Sequence, residues 1–335
     1  MLSVHHLTRT FGRTTALDDA SFDVPRGQLT GFVGGNGAGK TTSMRIIMGV
    51  LTPDRGTVTL DDAPVTRRTA REFGYMPEER GLYPRESAAE QIAYLGRLHG
   101  LSRAQAEGRA IALLDRLGLA ARAYDKVESL SLGNQQRAQI AAALVHDPEV
   151  LILDEPFSGL DPLAVDDVMD LLQSSARRGA AVLFSSHQLD VVERIVDSVV
   201  IIADGRIRAA GPREDLLAAH AGQRHRLVAP AGGDLAWVGT VPGVSGVEFA
   251  PGRVEFDAPD DAAHEVLRRA VAAGRVQEFA PVRPTLAEVF KDVIQDKPDD
   301  AGGPVPPGPE PLGGGSSAAG THPTAPAAGG TGVAR

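Results

Sequence analysis

The chain contains no cysteine, which excludes disulfides, thiolate metal sites and cysteine nucleophiles, and restricts any metal chemistry to oxygen and histidine ligands. Long apolar runs are missing too. No stretch approaches the roughly 18 consecutive apolar residues of a membrane-spanning helix, and the N-terminus lacks a basic segment followed by an apolar one. A soluble, cytoplasmic chain is the expectation. Lysine is scarce, confined to Lys40, Lys126, Lys291 and Lys297, and the formal net charge is −9. Nucleic-acid affinity rests on Lys and Arg neutralising phosphates, so no nucleic-acid partner is expected. What is present is ordinary for a folded protein: 335 residues, 42% hydrophobic and 23% charged. At about 100 to 200 residues per domain, that length suits two folded units.

Short apolar runs at 2–4, 20–24, 29–33 and 56–60 are separated by turns and read as strands. From 86 to 119 the character changes: Ile92, Leu95, Leu98, Ile111, Leu113, Leu114 and Leu117 recur at helical spacing among Ala, Arg and Glu, which predicts a helical insert. Apolar runs at 150–153, 181–184 and 199–202 then alternate with helical segments such as 165–177. That alternation predicts a mostly parallel sheet covered on both faces. After His220 a smaller α+β unit is expected, with strands at 247–249 and 254–256 around the turn 250–253, then an amphipathic helix over 261–273. Beyond Lys297 the sequence is mainly Gly, Pro, Ala, Ser and Thr, too poor in large apolar side chains to offset the entropy of folding. The expected organisation is a first domain over 1–220 with a helical subdomain at about 80–137, an accessory domain over 221–297, and a disordered tail over 298–335.

Two segments carry chemistry. Gly34-Gly35-Asn36-Gly37-Ala38-Gly39-Lys40-Thr41 matches G-x-x-x-x-G-K-[ST], directly after a strand and before a helical run from Thr42 to Met48. Glycines let successive backbone N–H groups face a phosphate without a Cβ in the way, and a helix N-terminus adds a favourable dipole. Lys40 is placed to reach the β- and γ-phosphates of a nucleoside triphosphate, and the Thr41 hydroxyl to ligate Mg²⁺. The second segment is Val150-Leu151-Ile152-Leu153-Asp154-Glu155-Pro156, four apolar residues delivering two carboxylates at a strand end, where such sheets bind ligands. Asp154 suits Mg²⁺ and Glu155 the activation of water.

The set resembles an ATP-binding cassette (ABC) ATPase over residues 1 to about 220. Leu130-Ser131-Leu132-Gly133-Asn134-Gln135-Gln136-Arg137 is similar to that family's signature, usually L-S-G-G-Q, with Ser131 and Gly133 kept while Leu132 and Asn134 depart. The resemblance implies the fold of a P-loop NTPase: a mostly parallel α/β core sheet with N-terminal antiparallel strands and a helical insert. It implies ATP and Mg²⁺ as cofactors, and a second subunit whose ATP is capped by Ser131 and the backbone beside it. Ser158-Gly159-Leu160-Asp161 resembles the loop that crosses the dimer interface, His187 the histidine contacting the γ-phosphate, and Phe11 the aromatic that stacks on adenine. In Tyr75-Met76-Pro77-Glu78 the family's usual glutamine is Glu78, still able to ligate Mg²⁺ but adding negative charge near Asp154 and Glu155. Residues 79–100, including Arg80, Tyr83 and Arg85, correspond to the region facing a membrane permease. The single cassette and small C-terminal domain, ending in Pro284-Thr285-Leu286-Ala287-Glu288-Val289-Phe290, resemble bacterial subunits of drug, sodium or polysaccharide exporters. The implied location is the inner face of the membrane, held through the permease. Two other readings stand beside this one: a non-transport clamp of the same family, and a metabolic kinase using the same phosphate loop.

Overall fold

The computed structural model describes residues 1–79, 81–220, 222–230, 234–274 and 276–295. The expected disordered tail and Arg80 lie outside them. β1 (Leu2–Phe11) and β2 (Thr14–Val24) pair antiparallel, burying Leu2, Val4, Leu7, Leu17, Ala20, Phe22 and Val24. Alternating side chains on a strand point to opposite faces, so one face enters the core. There follow β3 (Leu29–Val33), α1 (Lys40–Ile47), β4 (Arg55–Leu60), β5 (Ala63–Pro64), the short α2 (Arg67–Ala70) and β6 (Gly74–Met76). The first four-stranded sheet, β2-β1-β4-β5, is antiparallel throughout.

The helical insert is α3 (Ala88–Leu98), α4 (Arg103–Arg116) and α5 (Leu132–Leu144). Each helix starts on a serine: Ser87, Ser102 and Ser131 accept the backbone N–H of Glu90, Gln105 and Asn134. Such a cap is worth about 1 kcal/mol, because the first-turn N–H groups have no partner inside the helix.

The chain then runs through β7 (Val150–Leu153), α6 (Pro162–Arg177), β8 (Ala181–Ser186), α7 (Leu189–Ile195), β9 (Ser198–Ala203) and β10 (Arg206–Pro212). Together they complete a six-stranded sheet ordered β10-β9-β3-β8-β7-β6, parallel except for β10. Every residue of β3, β7 and β8 is buried. With both faces covered, these strands read as unbroken apolar runs rather than alternations. Burial of a large aliphatic side chain is worth about 1.5–3 kcal/mol, enough to hold the four residues of β7 between its neighbours. Parallel register aligns Val33 with Ser186, Phe184 with Leu153, and Leu153 with Met76. The loops that follow β3, β6, β7 and β8 therefore leave one edge of the sheet together.

The remaining elements are α8 (Arg213–Ala219), β11 (Arg224–Val228), β12 (Ser245–Ala250), β13 (Arg253–Asp257), α9 (Asp260–Ala272), β14 (Glu278–Pro281) and α10 (Leu286–Gln295). An antiparallel sheet β12-β13-β11-β14 shares its own core with α9, built on Leu227, Val254, Phe256, Val266 and Ala270. The hairpin read from the sequence is β12 and β13, joined at Pro251-Gly252. The sheet's other strands, β11 and β14, escape sequence reading because Arg224, His225 and Arg226 dilute the first and the second is four residues long with only Phe279 and Ala280 between Glu278 and Pro281. α10 returns to the larger unit: Leu286 N–H donates to Glu193 Oε2 at 3.0 Å, and Leu286 and Val289 join Val191, Val192 and Ile195 in one apolar cluster. Among the described residues no helix is long and apolar enough to cross a membrane.

Just past α5, His146 stacks on His99 with ring centroids 3.8 Å apart. Burial first, and the His99 ring second, lower the His146 pKa from 6.5 to about 4. The backbone of Glu72 and Phe73 offsets part of this without closing a hydrogen bond to either ring nitrogen. Between those two values the unfolded chain binds a proton that the folded one refuses, so stability rises with pH across the window. The contribution is fully present above pH about 6.5 and is lost as pH falls toward about 4. Urea midpoints are expected to drop over this interval, and to drop less in His146→Phe; equal slopes in both proteins would refute the assignment.

Candidate functional site

The loop after β3 is shaped by contacts that only glycine permits. A Cβ on Gly34 would lie 2.5 Å from the Ile202 carbonyl oxygen, and Gly39, at φ +112°, would place one 2.6 Å from that of Ala16. Gly35, Asn36 and Gly37 are exposed along the loop, whereas Ala38, Gly39 and Lys40 are buried. Lys40 folds back over the loop, its Nζ donating to the carbonyls of Gly34 (2.7 Å) and Gly35 (3.2 Å). α1, which carries Lys40, Thr41 and Thr42, differs from the serine-capped helices: no side chain caps it and no acidic residue lies in its first turn. Its leading N–H groups and positive dipole end are left to an anion wrapped by the loop.

Thr41 joins the loop to the carboxylates. Its Oγ1 donates to Asp154 Oδ2 at 2.8 Å, and Ser185 Oγ donates to Asp154 Oδ1 at 2.6 Å, so the 1%-exposed carboxylate is satisfied on both oxygens. Burial first and the Asp154 charge second push the hydroxyl pKa of nearby Tyr75 up. Consecutive strand residues face opposite ways, yet Glu155 departs from the strand altogether at φ +53°. That turn sends its carboxylate to His187, Oε2 to Nδ1 at 2.8 Å, while its N–H donates to Ser185 Oγ at 2.8 Å. A left-handed glutamate costs on the order of 1 kcal/mol or more and persists only where its surroundings over-determine it.

A threonine hydroxyl against a carboxylate is an all-oxygen donor pair, which suits Mg²⁺; that ion is commonly held by one or two carboxylates together with substrate phosphates. Among the described residues no three His, Asp or Glu side chains gather into an all-protein metal cage. Glu78 in particular has no hydrogen bond to Thr41 or Asp154 and instead lines a cavity with Glu79, Leu132, Gln136, Glu155 and Ser158. Ser131 caps α5, Asn134 Oδ1 accepts from Arg137, and a Cβ on Gly133 would lie 3.1 Å from the Gly159 carbonyl. Asp161 caps α6 by accepting from Ala164 N–H at 2.9 Å, with Pro162 at the first helical position. Phe11 is 46% exposed, with the Arg9 guanidinium 4.9 Å from its ring centroid. Sequence reasoning missed Ser185, which touches both carboxylate-bearing residues, and Gln136, which donates to the Glu155 and Pro156 carbonyls at 2.9 and 3.2 Å. The one available signal was their place, two residues before His187 and inside the signature-like run.

A phosphate loop, a threonine paired with a buried carboxylate and a serine-capped helical insert on a mostly parallel sheet define a P-loop nucleoside-triphosphatase of the cassette type. Residues 17–158 match the family described as ABC transporter, and residues 211–294 match the C-terminal domain of ATP-binding proteins like DrrA1-3. The uncharacterized ABC transporter ATP-binding protein YhaQ of Bacillus subtilis (strain 168) is 34% identical over 302 residues, covering 88% of this chain and 98% of that protein. The Nod factor export ATP-binding protein I of Paraburkholderia xenovorans (strain LB400) is 37% identical over 217 residues, covering 64% of this chain and 71% of its own. A solved ATP-binding subunit of an ABC transporter superposes with a TM-score of 0.61 at 33% identity, covering 65% of this chain and 92% of the other. The chain belongs to the family of ABC transporter ATP-binding proteins, and its activity is that of an ATPase.

Proposed function

We propose that two copies of this chain close around ATP and Mg²⁺, hydrolyse the ATP, and so drive a separately encoded membrane permease that exports its cargo. The observation that carries the dimer is a division within one copy. Thr41 and Asp154 meet at 2.8 Å, whereas Ser131, Gly133 and Asn134 make no hydrogen bond with residues 34–42 among the described residues. A second copy supplies the missing half. In this reading Phe11 stacks on the base, Gly34 to Thr42 hold the phosphates, and Asp161 lies at the subunit boundary. Mg²⁺ at Thr41 and Asp154, with Glu78 as the further candidate ligand, neutralises charge on the phosphates when bound. Glu155 activates water, and His187 holds the Glu155 carboxylate in line with the γ-phosphate.

Support for a membrane partner comes from a groove on the helical insert lined by Tyr83, Arg85, Glu90, Tyr94, Arg97 and Tyr124. Tyr83, Tyr94 and Tyr124 are exposed. Aromatic side chains with a polar tip beside arginine are the composition of protein-binding surfaces. Export is supported by the similarity to the Nod factor export ATP-binding protein I. The test is purification from detergent-solubilised membranes of the source cell. The expected result is a complex with a multi-span protein that Tyr83→Glu disrupts, and a complex with soluble partners alone overturns the reading.

A further inference from the structure

The strained backbone of Glu155 is held from two sides. Its N–H donates to Ser185 Oγ at 2.8 Å, and its carbonyl accepts from Gln136 Nε2 at 2.9 Å. Ser185 belongs to β8, fixed within the sheet. Gln136 comes instead from α5, little more than one turn after Ser131 caps that helix. The same amide donates to the Pro156 carbonyl at 3.2 Å, so it spans both peptide units that follow the φ +53° turn. One turn further along α5, Gln139 Nε2 donates to the carbonyls of Pro77 (2.8 Å) and Glu79 (3.2 Å), and its Oε1 accepts from Gly81 N–H at 3.3 Å. The two glutamine side chains are 7% and 4% exposed. Of the carbonyls they satisfy, that of Pro156 is buried while those of Glu155 and Pro77 belong to half-buried residues, and an unsatisfied buried acceptor costs more than an ordinary hydrogen bond contributes. α5 is thereby fastened to both walls of the cavity that Glu78, Glu79, Gln136 and Glu155 line, while its apolar face packs with that of α3 and α4.

We propose that Gln136 is a positioning residue for hydrolysis: it ties the orientation of Glu155 to the seating of α5, the helix that begins at Ser131. Glu155 is then aimed only when α5 is in place, so the segment that caps the other copy's ATP and the residue that activates water in its own copy move together. This rests on the reading of Glu155 as the water-activating group. A glutamine that merely filled space would make a different prediction, because its loss would loosen α5 and weaken the cap rather than misalign Glu155.

The experiment uses the full chain as wild type, Gln136→Met, Gln136→Glu and Glu155→Gln. It measures kcat and KM for ATP, the fraction of dimer with MgATP by light scattering, and the thermal melt. Gln136→Met is expected to lower kcat about tenfold, the scale of one lost buried hydrogen bond, with KM within about twofold. ATP-bound dimer should accumulate, as in Glu155→Gln. Gln136→Glu keeps the length but sets a carboxylate against two carbonyls, so its loss should be at least as large, and it reports alone where the methionine variant has no cooperative melt. Wild-type kcat in both variants overturns the proposal, as does a raised KM without dimer. If Glu155→Gln itself turns over at the wild-type rate, the reading of Glu155 fails first and this proposal falls with it.

Discussion

Glu155→Gln is expected to bind ATP as tightly as wild type while hydrolysing it about a hundredfold or more slowly, and to accumulate as a dimer in the presence of MgATP. The substitution keeps the size of the side chain and one hydrogen-bonding oxygen, so the contact with His187 Nδ1 at 2.8 Å can survive in altered form. What it removes is the negative charge and the basic site that would accept a proton from water. A positioned general base contributes about 10²–10⁴ in rate, which sets the size of the effect. In the proposed reading nucleotide binding rests elsewhere, on the Gly34 to Thr42 loop and on Asp154, whose two oxygens are engaged by Thr41 and Ser185 rather than by Glu155. Equilibrium binding of a fluorescent ATP analogue, steady-state phosphate release and light scattering separate the three effects. Wild-type turnover would remove Glu155 from the chemistry. Weakened binding together with slow turnover would move it into the phosphate site.

The parts of this site that sequence makes legible are those whose residues are consecutive. Gly34 to Thr41 announce a phosphate loop because the glycines, the lysine and the hydroxyl are adjacent, and the fold places them at a strand end and a helix start as that reading requires. Asp154 and Glu155 are legible as a pair for the same reason. Their different orientations are not, since the φ of +53° at Glu155 is imposed by β8 and α5, which lie far from it in the chain. Ser185 and Gln136 illustrate the limit: serine and glutamine are common, and only packing gives Gln136 its two carbonyl partners and sets Ser185 between the Asp154 carboxylate and the Glu155 N–H. The same logic applies to the fold. Buried parallel strands such as β7 and β8 stand out as apolar runs, whereas β11, with Arg224 and Arg226 paired to Glu255, hides its strand character behind charge. Glu78 was legible as a substitution, but its neighbourhood was not. It shares a cavity with Glu155 and has no hydrogen bond to Thr41 or Asp154.

Lys40→Ala is expected to fail at the earlier step. The Lys40 ammonium sits inside the loop, donating to the Gly34 and Gly35 carbonyls at 2.7 and 3.2 Å from a side chain that is 7% exposed. It is a cation held within a ring of backbone dipoles at the open end of α1, and a triphosphate entering that ring replaces the two carbonyls as its partner. Charge-assisted hydrogen bonds are about twice as strong as neutral ones, at roughly 1.5–3 kcal/mol, so ATP affinity is expected to fall by about a factor of 10 to 100. Two carbonyls also lose their donor in the nucleotide-free chain: that of exposed Gly35 can turn to water, and only that of buried Gly34 is left unpaired. The melt without nucleotide should therefore drop by only a few degrees, while the rise in melting temperature on adding MgATP should largely vanish. This pattern is the reverse of Glu155→Gln, in which the nucleotide-dependent rise persists and phosphate release slows. A Lys40→Ala protein that keeps its nucleotide-dependent stabilisation would show that the loop binds through its backbone alone, with the lysine serving only to close the ring.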